Sequence, residues 1–256
     1  MKENIGIEFF EKTKYHHLSE PDQLKGIEAP PLEPPYEKGQ KLVKLPSPDT
    51  ITLPDYSFKR AIEQRRSHRS FSKQSLSIEE LAYLLWCTQG VKKISSVQDS
   101  TGRVTERTIR TVPSAGGRHA FVTYLGINNV EGLTPGLYRY VAPEHKLAEI
   151  RLDDSFGKVL AQACVNQTWM AKAATVFLWV ANTPRMAWRY VERGYRYMLL
   201  DAGHVCQNLY LAAESIGCGA CGIGAYDDDA VNELLGLDGV ERFMIYAGTV
   251  GKREES

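Results

Sequence analysis

Residues 195–224 read YRYMLLDAGHVCQNLYLAAESIGCGACGIG, and this stretch says most about the fold. The part from 195 to 216 predicts a long helix that ends at Gly217. The glycines between 217 and 224 suit a backbone that presses against a flat ligand. Apolar or small side chains surround almost the whole helix, so we expect a homodimer with the helix near the centre of its interface. They are Met198, Leu199, Leu200, Ala202, Val205, Leu209, Leu211 and Ala212.

Helices and strands alternate along the rest of the chain. Ser57 and Asp227 are typical helix N-caps, and Ser77 with Glu80 forms a capping box for a helix that closes at Gly90. Interleaved strands and helices predict an α+β fold, an α/β sandwich. The predicted strands are 120–127, 136–141, 147–152, 174–181 and 243–250. The further predicted helices are 58–66, 155–165 and 228–235. Residues 92–111 are predicted to form a loop.

The composition excludes several classes of protein. With 31 basic and 31 acidic residues in 256, the chain has no net charge to attract nucleic acid or an anionic membrane. No apolar run follows Met1, and 195–216 carries several charged residues, so we expect neither a signal peptide nor a membrane span. Five cysteines fit reduced thiols in a cytoplasm. Two Pro-Pro pairs in residues 1–56 predict an extended arm, or a linker, before a domain at 57–256.

The strongest local charge lies at residues 65–71, which read RRSHRSF. Guanidinium groups bind phosphate through bidentate, charge-assisted hydrogen bonds, and serine hydroxyls add short ones. Arginines at a helix C-terminus also complement the helix dipole, which accounts for Arg65 and Arg66 but poorly for Arg69. The residues alone therefore leave two interpretations open, an anion site and a solvated helix end.

Two further segments suit the same ligand. Residues 113–117, PSAGG, precede a strand, and their glycines let a backbone approach a ligand closely, although a plain turn has the same composition. Residues 250–253, VGKR, are basic, and we expect Arg253 to be mobile and solvated. Residues 113–117 are neither G-x-G-x-x-G nor a Walker loop, so they predict no Rossmann or NTPase site. The three segments together predict one ligand with a phosphate and a planar body.

Cys218 and Cys221 form a C-x-x-C pair that raises the question of a metal. The further candidate ligands are His204 and Cys206, which are two apart on a helix and cannot share one ion. A zinc deaminase would also need Glu at position 206. We therefore expect no metal.

Several stretches of the chain, in their order and spacing, resemble the nitroreductase-like flavoprotein superfamily and its SagB/McbC-type dehydrogenase branch. The resemblance covers nearly the whole chain. It implies a nitroreductase-like fold, with a central mixed β-sheet flanked by helices and the long helix at a homodimer interface that holds FMN. The matching stretches are EFFEKTKYHHLSE, RRSHRSF, LSIEELAYLLWCTQGV, PSAGG, VEGLTPGLYRY, residues 192–239 and VGK.

The resemblance also implies roles for individual residues. The FMN phosphate and ribityl chain would be bound by Arg65, Arg66, Ser67 and Arg69. The phosphate would be neutralised further by Gly251, Lys252 and Arg253. The flavin of the other subunit would be lined by Pro113, Ser114, Ala115, Gly116 and Gly117. The isoalloxazine ring would have beside it Cys221, Gly222, Ile223 and Gly224, with backbone N–H groups near N5 and O4.

The implied activity is two-electron (hydride) transfer through FMN between a donor such as NAD(P)H and an organic acceptor, with no protein nucleophile. Two alternatives stay open: an azoline (thiazoline/oxazoline) dehydrogenase acting on a peptide with partner enzymes, and a flavin-binding redox sensor without turnover.

Two pairs of side chains are candidates for a catalytic role. Tyr197 and His204, seven apart on one helix face, are candidate proton donors. Arg118 and His119 replace an apolar run usual in the branch, and they either make the substrate face cationic or lie at a solvated rim.

Overall fold

The computed structural model describes residues 4–53, 55–98 and 102–254, and within them lie seven α-helices and nine strands. The helices are α1 (Ile5–Lys12), α2 (Phe58–Gln64), α3 (Ile78–Gln89), α4 (Phe156–Ala163), α5 (Thr183–Tyr190), α6 (Gly194–Ser215) and α7 (Asp228–Leu235). The strands are β1 (Leu42–Lys44), β2 (Val91–Gln98), β3 (Val104–Arg110), β4 (Phe121–Ile127), β5 (Gly136–Val141), β6 (Lys146–Leu152), β7 (Thr175–Asn182), β8 (Cys218–Ile223) and β9 (Arg242–Lys252).

Seven of the strands form a central sheet in the order β1-β6-β5-β4-β7-β9-β8. Neighbouring strands pair antiparallel, from the edge strand β1 to β8 at the opposite edge. The parallel component of this mixed sheet is a bridge between Ser67 and Ala220 on the outer edge of β8. The two remaining strands, β2 and β3, form a separate antiparallel hairpin.

Helices cover both faces of the sheet, and each face has its own hydrophobic core. The side chains of β7 show the arrangement, because Phe177 and Trp179 pack with α3 and α6 while Val176 and Leu178 pack with α4 and α7. A strand buried on both faces has a continuous apolar sequence, which explains the run ATVFLWVA. The layers of helix, sheet and helix confirm the predicted α+β sandwich.

The local signals at the helix ends are confirmed. The Ser57 side chain caps α2, Ser77 and Glu80 form the reciprocal capping box of α3, and the Asp227 carboxylate caps α7. The longest helix, α6, begins and ends within one residue of its predicted bounds. Neither α6 nor any other helix in the described ranges is long and apolar enough to cross a membrane.

Four elements after residue 57 differ from the sequence prediction, namely β2, β3, α5 and β8. The predicted loop at 92–111 is wrong, because these residues form the β2–β3 hairpin, whose many exposed polar side chains leave no apolar run to recognise. Helix α5 was not predicted, although Pro184 lies in its first turn, where proline is tolerated. Strand β8 was not predicted either, because its cysteine, glycine and alanine residues give a weak strand signal.

The segment before residue 57 is only partly extended. Its α1 lies beside the start of α6, where the Arg193 Nη1 donates to the Thr13 carbonyl oxygen at 2.9 Å. Its β1 pairs with β6 as an edge strand. Between these elements the chain contacts α5, since Trp188 Nε1 donates to the Ile27 carbonyl oxygen at 2.9 Å. The division into an arm (1–56) and a domain (57–256) stays a prediction.

Candidate functional site

The basic segment 65–71 lies across the ends of β8 and β9. Ser67 bridges Ala220, and the His68 N–H donates to the Ala220 carbonyl oxygen at 2.9 Å. One residue past the segment, the Ser72 N–H donates to the Lys252 carbonyl oxygen at 2.9 Å. Because β8 and β9 pair along their length, three segments far apart in sequence share one surface. We call it the basic face, and it comprises residues 65–72, 218–224 and 250–253.

Arg66 and Arg69 are exposed cations of the basic face. Arg66 forms no hydrogen bond or ion pair with any residue that the structure describes, and Arg69 lies 6.0 Å from the ring of Trp169. Arg65 is half-buried, with its guanidinium 5.3 Å from the centre of the Tyr210 ring. Uncommitted guanidinium groups beside the Ser67 hydroxyl are the donors that a phosphate takes. The arrangement therefore suits a phosphate group.

His68 lies between the arginines and β8 and adds no charge. Burial lowers the pKa of its ring, and the charges of Arg253 and Arg66 lower this pKa further. Its Nε2 is buried and has no partner in the described part of the chain. Since buried ring nitrogens normally form a hydrogen bond, this atom lacks the partner that its burial calls for.

The two cations at the end of β9 are committed to ion pairs. Lys252 pairs with Glu80, and Arg253 pairs with the buried Glu214 while its Nε donates to the Cys218 carbonyl oxygen at 3.0 Å. The expectation that Arg253 is mobile and solvated is wrong, because a buried carboxylate holds it. Gly251 is buried too, and a Cβ there would lie 2.9 Å from the Phe71 ring. These residues shape the basic face more than they add free charge to it.

Tyr210 of α6 connects the parts of the basic face, and the sequence analysis did not identify it. Its hydroxyl lies 2.9 Å from Ser67 Oγ and accepts a hydrogen bond from the Gly222 N–H at 2.7 Å. The signal available in sequence was weak, because a tyrosine in a long helix is typical of packing. Its contacts join α6, segment 65–71 and β8, so Tyr210 sets the spacing of these three elements.

Residues 221–224 follow the outer edge of the sheet toward solvent. Cys221 and Ile223 are buried, Gly222 is half-buried and Gly224 is exposed. A Cβ at Gly222 would lie 2.5 Å from the Tyr246 hydroxyl, so this position needs glycine. At Gly224 the nearest atom of the described chain to such a Cβ is 4.0 Å away, again on Tyr246. The backbone at Gly224 is therefore open to a flat ligand.

The turn at 113–117 is held by Asp201 of α6, which the sequence analysis also missed. The Ser114 hydroxyl donates to Asp201 Oδ2 at 2.6 Å, and the Ala115 N–H donates to Oδ1 at 3.1 Å. Burial raises the pKa of Asp201, and its bond from Ser114 opposes that shift. Gly116, at φ +55°, has no room for a Cβ, which would lie 2.3 Å from the Tyr190 hydroxyl. The turn is thus a fixed structure.

Within the single chain the turn and the basic face are apart. They contact α6 at Asp201 and at Tyr210, which are nine residues apart, or about 13 Å along the helix axis at 1.5 Å per residue. The structure therefore brings together the predicted residues at 65–69, 221–224 and 251–253. It does not bring Pro113–Gly117 to them in a single chain.

Arg118 and His119 occupy neither of the expected places. Both are buried, 7% and 5% exposed, behind the turn at the start of β4. Arg118 donates from Nε to the Arg185 carbonyl oxygen at 2.8 Å, with its guanidinium 4.5 Å from the Trp188 ring centre. Burial, followed by Arg110 and Arg185, lowers the His119 pKa to about 3. The two side chains therefore face neither a ligand pocket nor a solvated rim.

Tyr197 and His204 lie on α6 near Asp201, away from Tyr210. The Tyr197 hydroxyl accepts from Arg193 Nε at 2.8 Å and lies 2.9 Å from the Tyr15 hydroxyl. Burial alone would raise the Tyr197 pKa, but these hydrogen bonds and the Arg193 charge lower it below its usual value. His204 is exposed. Their role as proton donors stays a prediction.

The C-x-x-C pair cannot hold one metal ion. Cys218 packs into the core on the α3 and α6 face of the sheet, whereas Cys221 packs into the core on the opposite face. Residues three apart on a strand project to opposite faces, which explains the separation. Both thiols are buried and free, and burial raises the pKa of Cys218 to about 12.

The chain matches known proteins over most of its length. A model of the nitroreductase family matches residues 62–252. A nitroreductase-like protein of Methanocaldococcus jannaschii is 32% identical over 213 residues, which are 83% of this chain and 97% of that protein. The trifolitoxin-processing protein TfxB of Rhizobium leguminosarum bv. trifolii is 29% identical over 133 residues, 50% of this chain and 36% of TfxB.

The fold is similar to that of solved structures. A crystal structure of a nitroreductase-like protein from Anabaena variabilis superposes with a TM-score of 0.66 and 27% identity, over 84% of this chain and 42% of that chain. This chain therefore spans less than half of the Anabaena protein and of TfxB, but nearly all of the Methanocaldococcus protein.

Proposed function

Because the chain belongs to the nitroreductase family, we propose that it is an FMN-dependent oxidoreductase that transfers two electrons, as a hydride, between a donor such as NAD(P)H and an organic acceptor. The family is one of flavin oxidoreductases, and FMN, when bound, supplies reversible two-electron chemistry. The observation that carries the proposal is the basic face, where Arg66 and Arg69 are exposed beside Ser67.

The residues of the basic face fit FMN. Arg66 and Arg69 would bind the phosphate dianion, and Ser67, held by Tyr210, would donate a further hydrogen bond. The open backbone at Gly224 leaves room for a planar ring beside the edge of the sheet. Residues 217–222 have the spacing G-x-G-x-x-G, but they follow helix α6 and enter strand β8, the reverse of the strand-to-helix context that binds an adenosine diphosphate, so FMN suits the face better than FAD.

A homodimer would complete the site. The turn at Pro113–Gly117 lies on a different part of α6 from the basic face, so a second subunit would supply it. The exposed apolar side chains of α6 and α1 support this arrangement, because Leu199 and Leu200 are 57% and 62% exposed and Phe10 is 60% exposed. Burial of such a surface is the usual reason for a closed two-fold interface.

The relatives suggest a second candidate substrate class. TfxB is named as a trifolitoxin-processing protein, and its similarity to this chain leads us to keep the azoline dehydrogenase as the alternative. In that case a thiazoline or oxazoline ring in a peptide would be the group oxidised. Such a dehydrogenase would act with partner enzymes. A stand-alone reductase would instead pass electrons from NAD(P)H to a nitro compound or a quinone.

The test begins with the flavin that the purified protein releases on heating, identified by chromatography. We expect FMN, and FAD, or no flavin after incubation with FMN, would contradict the proposal. Anaerobic titration with NADH and NADPH then shows which donor removes the absorbance of the oxidised flavin. Reoxidation by a nitroaromatic or quinone supports the reductase, whereas oxidation of a thiazoline-containing peptide supports the azoline dehydrogenase. A flavin that no acceptor reoxidises at a useful rate supports a redox sensor.

A further inference from the structure

Three arginines are buried together on the side of the molecule where the N-terminal segment crosses it. Arg110 ends β3, Arg139 lies in β5 and Arg185 lies in α5. They are 4%, 6% and 3% exposed, although arginine is almost never fully buried without an ionic partner. Glu33 of the N-terminal segment is half-buried among them, and its Oε1 is shut off from solvent.

Each guanidinium is fixed by hydrogen bonds to neutral oxygen atoms. Arg110 Nη1 donates to Gln89 Oε1 at 2.9 Å, and Arg139 Nη1 donates to the Pro35 carbonyl oxygen at 3.2 Å. Arg185 Nη2 donates to the Arg118 carbonyl oxygen at 2.8 Å. These bonds hold the three side chains in place without neutralising any of their charge.

Several polar atoms of the cluster remain without a partner. They are Arg110 Nη2, Arg139 Nε, Arg139 Nη2, Arg185 Nε and Glu33 Oε1. In the described part of the chain none of the three arginines forms an ion pair within 4 Å, so Glu33 faces them without touching them. Buried N–H groups without acceptors are rare in folded proteins, and each needs an explanation.

The charges of the cluster do not balance. Three guanidinium groups face one carboxylate, and Glu33 is the acidic group whose charge acts on both Arg110 and Arg185 in the described ranges. Burial and the charge of Arg110 lower the Arg185 pKa to about 9, the direction expected of crowded cations. His119 beside them stays neutral, because its pKa is lowered to about 3.

The other titratable groups near the cluster supply no negative charge. Tyr140 and Tyr124 face the same charges, and burial raises the pKa of both hydroxyls, which keeps them protonated. Arg118, itself buried, adds a further positive charge beside Arg185. Water molecules could satisfy the free N–H groups, but they would leave the excess positive charge buried.

We propose that Arg110, Arg139 and Arg185 bind a small monovalent anion beside Glu33, and that this anion fastens the N-terminal segment to the domain. An anion accounts for the free donors and for the unbalanced charge at once. The arginines also bond the backbone on both sides of Glu33, since Arg185 Nη1 donates to the Leu32 carbonyl oxygen and Arg139 to that of Pro35. The anion, the arginines and this segment thus form one unit.

The experiment measures thermal unfolding while chloride replaces gluconate, a much larger anion, at constant ionic strength. We expect a saturable rise in the melting temperature with chloride, since a ligand that binds only the folded state stabilises it. Arg139→Gln should weaken the apparent chloride affinity about tenfold or more. The matched control, Arg107→Gln, changes an exposed arginine of the hairpin and should respond as the parent does.

Glu33→Gln separates an anion from bound water. It removes the negative charge beside the proposed anion and keeps the shape of the side chain, so chloride should bind more tightly than to the parent. Crystals soaked in bromide should show an anomalous peak beside Arg139. The proposal is overturned if chloride and gluconate give the same melting temperature, if Glu33→Gln leaves chloride affinity unchanged, or if the bromide map shows only water. Because Glu33→Gln removes no structural hydrogen bond, the test survives a failure of Arg139→Gln to fold.

Discussion

Arg253→Ala should destabilise the fold by about 1–3 kcal/mol, because Arg253 is the cationic partner of a buried carboxylate. The Glu214 side chain is 3% exposed, and Arg253 forms an ion pair with it and a 3.0 Å hydrogen bond to the Cys218 carbonyl oxygen. Removing one partner of a fully buried pair costs about 3–5 kcal/mol. We expect less here, because the Arg253 side chain is 32% exposed and the Tyr56 hydroxyl still donates to Glu214 at 3.2 Å.

The measurement is urea and thermal unfolding followed by far-ultraviolet circular dichroism, without added flavin. For a chain of this size the melting temperature should fall by roughly 3–10 °C. Adding Glu214→Gln to Arg253→Ala should restore part of the loss, since the unpaired buried charge is gone. Arg107→Ala, at an exposed position of the hairpin, should stay within about 0.5 kcal/mol of the parent. An Arg253→Ala protein as stable as the parent would refute the reasoning, and so would a double variant no better than the single one.

Three further predictions concern single side chains. Asp201→Asn should lower the free energy of unfolding by about 1–3 kcal/mol. The carboxylate accepts hydrogen bonds on both oxygens from the turn at Ser114, whereas the amide nitrogen of asparagine cannot accept one. Unchanged unfolding would contradict this. Tyr210→Phe should raise the FMN dissociation constant about 3- to 10-fold, because the Ser67 hydroxyl loses its hydrogen-bond partner. Flavin fluorescence titration measures this constant, and an unchanged value would contradict the prediction. Burial raises the Glu33 pKa to about 7, so the folded state holds the Glu33 proton more tightly than the unfolded chain does. The stability that this contributes is complete below the usual carboxyl pKa and is lost as the pH rises through about 7. From pH 5 to 8 the parent should therefore lose roughly 2–3 kcal/mol relative to Glu33→Gln, and a constant difference would disprove it.

The sequence predicts those parts of the fold whose signals are local. The caps at Ser57, Ser77 and Asp227 depend on hydrogen bonds three residues away, and each lies where its pattern indicates. The apolar run of β7 likewise follows from burial on both faces. The β2–β3 hairpin was not predicted because most of its side chains are exposed. Its two strands therefore do not show the alternation of apolar and polar residues that marks a half-buried strand.

The residues that shape the candidate site depend on contacts between distant parts of the chain. Tyr210 meets Ser67 across 143 positions, and Asp201 meets Ser114 across 87, so no local pattern connects them. The pairing of Arg253 with Glu214 is equally non-local, which is why a solvated tail was expected instead. A common ligand for 65–71 and 250–253 was predicted from the chemistry of their residues, and the assignment of both to an FMN phosphate came from the family resemblance. The cytoplasmic location suggested by the free cysteines stays a prediction.

The central claim is that the basic face binds the FMN phosphate, and titration of flavin-free protein with FMN tests it most directly. The pair to compare is Arg66→Ala and Arg107→Ala, two exposed arginines of which only the first lies on the basic face. An arginine on a phosphate makes charge-assisted hydrogen bonds worth roughly 1.5–3 kcal/mol each, so Arg66→Ala should bind FMN about ten- to a hundredfold more weakly. Arg107→Ala should bind as the parent does, with circular dichroism showing both variants folded. If Arg66→Ala binds FMN as tightly as the parent, residues 65–71 are only a solvated helix end.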